Sequence, residues 1–223
     1  MSFSADSVAA AFAEVRARIA AAGGGADVEI LPVTKGFGPD AIEAAVAAGA
    51  TAIGENYVLE LLAKLDALAE RGGVAPAVHL IGQLQTNKVR LAAGRVACYE
   101  TVDRAKLATE IARRDPGATV LIQVDTSGEP GKGGCPLDAV DALVEHVRAL
   151  GLALDGLMTV GPTAASADRA AAELARPGFR AVRAAVDRLG LRTCSMGMSG
   201  DLEVAVGEGS TRVRVGTAMF GNR

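Results

Sequence analysis

Apolar positions along this chain switch repeatedly between a helical and an extended period. From about Ser4 to Ala22, Val8, Phe12, Val15 and Ile19 recur at spacings of four, three and four, one face of an amphipathic helix that Gly23-Gly24-Gly25 ends. Val28 to Thr34 is β-rich and reads as a strand. Lys35-Gly36-Phe37-Gly38 then forms a loop, and Pro39 opens a helix carrying Ile42, Ala45 and Val46. The unit repeats: a strand over Thr51–Gly54, a helix over Asn56–Arg71, a strand over Ala77–Ile81, a short helix over Leu84–Ala93 and a strand over Val96–Thr101. A helix capped by Asp103 follows, running to Arg114.

Thr119-Val120-Leu121-Ile122-Gln123-Val124 is almost continuously apolar, the pattern of a parallel strand covered on both faces. Beyond it come a helix opened by Pro136, a strand over Asp155–Val160, an Ala-rich turn or helix, and a helix opened by Pro177. A weak strand over Arg192–Ser195, a short helix over Asp201–Val206 and a strand over Thr211–Val215 complete the series. Eight strands alternating with helices predict a (β/α)8 TIM barrel as a single domain over residues 1–223. The extra N-terminal helix is expected to cover the place of a short eighth helix.

Composition narrows the class. Half of the 223 residues are hydrophobic but only 3% are aromatic, so the core is built from Ala, Val, Leu and Ile. Basic and acidic residues number 23 and 26, for a net charge of −3, which argues against nucleic-acid or membrane binding by bulk electrostatics. No apolar run reaches the roughly 20 residues a bilayer span requires. Cys98, Cys135 and Cys194 are far apart and form no metal or disulfide pattern, and no signal region is evident; a reduced cytoplasm is expected.

Barrel chemistry sits on the loops after the C-terminal ends of the strands. Lys35, Glu55-Asn56, His79, Gly82-Gln83, Lys132, Met158-Thr159, Ser195–Ser199 and Arg214–Thr217 fall there. Lys35 ends an apolar strand, and a desolvated amine can attack a carbonyl; the plain alternative is a lysine snorkelling at the rim. Lys64 and Lys106, on helices, read as solvated surface residues. Met196-Gly197-Met198-Ser199-Gly200-Asp201 and Arg214-Val215-Gly216-Thr217 offer amides and hydroxyls where barrels bind phosphate, although Gly and Ser also make ordinary turns. His79 reads as a satisfied core histidine and His146 as structural. Gly131–Gly134 around Lys132 lacks the full pattern of a nucleotide-binding loop.

Leu31-Pro32-Val33-Thr34-Lys35, Gly54-Glu55-Asn56-Tyr57, His79 to Lys88, Ser195 to Asp201 and Gly209 to Gly221 together resemble the pyridoxal phosphate homeostasis protein family, over nearly the whole chain. The resemblance implies an isolated barrel like that of alanine racemase, holding pyridoxal 5'-phosphate as a Schiff base on Lys35. It implies that Ser199, Gly216 and Thr217 hold the phosphate, that Arg214 faces the pyridine nitrogen, and that Asn56 and Met198 line the pocket. Lys132 is implied as a secondary lysine for hand-over of the cofactor. Val78 departs from the family pattern, which has an aromatic before His79. The implied role is cofactor homeostasis without robust turnover, as a monomer serving cofactor-dependent apo-enzymes. The competing reading is a weak amino-acid racemase or a Schiff-base lyase.

Overall fold

In a computed structural model that describes residues 3–166 and 169–221, eight parallel strands form one sheet in the order β1-β8-β7-β6-β5-β4-β3-β2. The outermost ends of the expected 1–223 domain and two residues of its Ala-rich segment lie outside the described residues. The strands are β1 Glu29–Pro32, β2 Ala52–Glu55, β3 Ala77–Leu80, β4 Cys98–Val102, β5 Thr119–Val124, β6 Ala153–Thr159, β7 Thr193–Ser195 and β8 Arg212–Val215. At the remaining seam, β1 and β2 meet through an isolated bridge between Val33 and Gly54 and a bond from Thr34 N–H to Gly54 O of 3.1 Å. The result is a nearly closed barrel, as the alternating pattern predicted.

The connecting helices include α1 Ala5–Ala21, α2 Pro39–Ala47, α3 Val58–Glu70, α4 Val89–Ala92, α5 Ala105–Arg114, α6 Val140–Ala149, α7 Arg169–Ala172, α8 Arg176–Arg188, α9 Leu202–Gly207 and α10 Thr217–Phe220. Ser4 caps α1 by accepting from Ser7 N–H at 3.1 Å, and the helix buries Val8, Val15 and Ile19. It packs on α2, α9 and α10, the place in the outer ring predicted for it. One core cluster joins α1, α2 and α3 to β1, β2 and β8; the other joins β4–β7 to α4, α5, α6 and α8. Val78, at the position where the resemblance implied an aromatic, is buried in the first of these and does not line the barrel mouth.

Two local expectations are corrected. Asp103 does not cap α5: Arg104 takes the cap position and its guanidinium bonds the Asp103 carboxylate at 2.5 Å. Lys64 is not a surface residue: it is 4% exposed and ion-paired with Glu55 at 2.7 Å and Glu60 at 2.6 Å. Lys106 is exposed, as expected.

Candidate functional site

The barrel mouth opens into a cavity of about 1410 Å³. Every binding residue expected from the sequence lines it: Lys35, Asn56, Met198, Ser199, Arg214, Gly216 and Thr217, with Lys132 beside them. Lys35 follows β1, and the chain turns immediately after it at Gly36, whose φ of 74° is one that L side chains rarely adopt. Behind Asn56, Gly82 permits a close approach: a Cβ at Gly82 would stand 2.2 Å from Asn56 O. Phe37 reaches the same wall and stacks edge-on with Phe3 at 5.3 Å, and both rings meet Phe220 of α10 at 5.4 Å. Three of the seven aromatic residues thus tie the Lys35 loop to both ends of the described chain.

The loop after β7 is held from two sides. Asp201 Oδ1 accepts from Met198 N–H at 2.6 Å, while Arg18 of α1 donates to Ser199 O at 2.9 Å and pairs with Glu203 at 2.7 Å. Ser199 Oγ accepts from Ala218 N–H at 3.2 Å, which locks this loop to the one after β8. Ser199 precedes α9 by several residues and contributes to a turn. Burial raises the Asp201 carboxyl above its ordinary range.

Below the mouth lies a buried charged network. Arg214 donates to Ser195 Oγ at 2.8 Å and to Thr159 O at 2.7 Å. Ser195 in turn donates to Glu100 Oε2 at 2.7 Å, and Glu100 Oε1 takes His79 Nδ1 at 2.7 Å and Arg212 at 3.0 Å. Burial would push Glu100 up, but the His79 hydrogen bond and the charges of Arg212 and Arg214 outweigh it and hold the carboxyl at about 2. Burial pulls Arg214 below the ordinary guanidinium range, and Glu100 partly offsets that. His79 is therefore a satisfied core histidine, and Glu55, His79, Thr159 and Ser195 support the mouth without lining it.

Two acceptors in the wall, Asn56 Oδ1 and Gln123 Oε1, are buried with no hydrogen-bond partner among the described residues. Gln123 escaped the sequence reading, although a lone amide in the apolar run of β5 was its signal. Pyridoxal phosphate fits this wall in kind: an amine for its aldehyde, serine and threonine hydroxyls for its phosphate, a guanidinium for its ring nitrogen, and acceptors for its hydroxyl.

Known proteins resemble this chain along nearly its whole length. The family described as alanine racemase, N-terminal domain, matches residues 5–223. A pyridoxal phosphate homeostasis protein of Pseudomonas aeruginosa is 41% identical, covering 100% of this chain and 97% of its own length. That of Escherichia coli K12 is 38% identical over 88% of this chain and 86% of its own. Among solved structures, PipY of Synechococcus elongatus with pyridoxal phosphate bound superposes with a TM-score of 0.82 at 28% identity, covering 96% of this chain and 100% of PipY. An alanine racemase of Clostridium difficile shares the fold, with a TM-score of 0.72 at 15% identity, and this chain spans 56% of it.

Proposed function

We propose, on the premise that this chain belongs to the pyridoxal phosphate homeostasis protein family and carries its alanine racemase-type barrel, that it binds pyridoxal 5'-phosphate at the barrel mouth and serves homeostasis of that cofactor. When bound, the group supplies an aldehyde that an amine can capture reversibly. Lys35 is that amine. Ser199, Gly216 and Thr217 hold the phosphate, Asn56 and Met198 flank the ring, and Arg214 faces its nitrogen. The observation that carries this reading is the convergence of Lys35, Ser199, Thr217 and Arg214 on one cavity.

Binding without robust turnover follows from Arg214. A permanent guanidinium at the ring nitrogen disfavours its protonation and so weakens the ring as an electron sink. Arg214 is fixed in that state by Ser195 and Thr159, with Glu100 as counter-charge. The protein then acts as a single-domain monomer that stores cofactor and releases it to apo-enzymes, with Lys132 as a secondary amine at the mouth. Lys132 donates to Gly161 O at 2.5 Å and pairs with Glu129 at 2.8 Å, so hand-over requires it to leave those partners.

The test is optical. Protein incubated with pyridoxal phosphate acquires a visible absorption band that Lys35→Ala lacks, and loaded protein restores activity to a cofactor-dependent apo-enzyme. Protein that stays colourless overturns the reading. Rapid α-proton exchange of amino acids, followed by NMR, would overturn the non-enzymatic part and favour a racemase.

A further inference from the structure

Lys35 is presented by a backbone segment that something must hold, because the seam between β1 and β2 lacks a continuous ladder at this point. The residues on both sides of Lys35 are anchored by one ionic cluster. Lys64 of α3 donates to Thr34 O at 2.8 Å, and Thr34 Oγ1 donates to Glu55 Oε1 at 2.5 Å. Gly36 N–H donates to Glu60 Oε1 at 2.5 Å. Lys64 joins the two acceptors, pairing with Glu55 at 2.7 Å and Glu60 at 2.6 Å. Thr34 and Glu55 are fully buried, Lys64 is nearly so, and neither these three nor Glu60 line the cavity.

Burying an ammonium and a carboxylate costs several kcal/mol of desolvation each, and an apolar pair of the same volume is often as stable. Stability is therefore a poor reason for this cluster. Charge-assisted hydrogen bonds do supply direction, which apolar packing does not. We propose that Lys64, Glu55 and Glu60 are positioning residues for Lys35: they clamp the carbonyl before it and the amide after it, so that its amine meets a carbonyl held by the phosphate loops across the mouth. The inference rests on the cofactor reading above and adds residues that touch neither the cofactor nor the cavity.

The test separates capture of an aldehyde from general binding. Pyridoxine 5'-phosphate carries an alcohol in place of the aldehyde, so it makes the ring and phosphate contacts without covalent capture. In the double variant Glu55→Gln/Lys64→Met both buried charges leave together, which avoids stranding either one. It is expected to bind pyridoxal phosphate about tenfold more weakly while its affinity for pyridoxine 5'-phosphate stays within about twofold of wild type. Should the double variant fail to fold, Glu60→Ala removes the Gly36 anchor and one of the two carboxylates paired with Lys64, at the half-exposed end of the cluster, and a loss of about threefold confined to the aldehyde is expected. Equal losses for both ligands, or no loss for either, overturn the positioning role. Wild-type protein that takes up neither ligand overturns the cofactor reading as well, so the two failures are distinguishable.

Discussion

Glu100 is the counter-charge on which two buried arginines depend. Glu100→Gln keeps the shape but leaves Arg212 with Glu29 alone and Arg214 with a neutral neighbour, and breaking a buried pair in this way costs about 3–5 kcal/mol. Urea titration at neutral pH reads that loss. The pH dependence has a definite sign. Because the folded-state carboxyl is depressed to about 2 from an ordinary 4.5, its contribution is complete above about pH 4.5 and disappears as the pH falls toward 2. The wild-type advantage over Glu100→Gln should shrink across that window. A gap of constant size down to pH 2 would show that the carboxylate is not what stabilises the network.

At the scale of elements, α1 does more than cover the barrel's side. Its Arg18 grips Ser199 O on the loop expected to hold phosphate and Glu203 in the first turn of α9. The pair is partly exposed and contributes at most about 1 kcal/mol to stability, so Arg18→Ala should barely move the thermal midpoint. It should nevertheless weaken uptake of pyridoxal phosphate several-fold, and unchanged uptake would detach α1 from the site. By contrast Ile19→Ala removes a fully buried side chain and should cost about 2–5 kcal/mol by denaturant unfolding. Which elements the sequence disclosed follows from their physics. β5 was readable to the residue because both its faces are covered, whereas Asp103 was misjudged as a cap because a neighbouring arginine competes for its carboxylate. Lys64 lies three residues after Leu61 and four before Leu68, on the buried stripe of α3, so its phase along the helix buries it although its residue type favours solvent. The residues lining the mouth were legible because strand ends announce them. The Glu55–Lys64 cluster was not, since it is assembled by the seam between strands distant in order around the sheet.

At the scale of the whole molecule, the large exposed hydrophobic side chains among the described residues are Tyr57, Leu59, Val74, Leu137 and Leu174, of which Tyr57 and Leu59 line the mouth. So small a set favours the monomer proposed above. Sedimentation equilibrium at micromolar concentration should return 22.5 kDa; a dimer mass would refute the monomeric reading. The weakly laddered junction of β1 and β2 has a dynamic corollary. It works as a clasp: Lys35, the amine proposed to take the cargo, rides on one side, and Asn56 stands on the other. Breathing at that clasp and cargo retention therefore become one variable, and loading should slow deuterium uptake at the Thr34 amide, which bonds Gly54 across the gap, while the β5–β6 amides keep their pace.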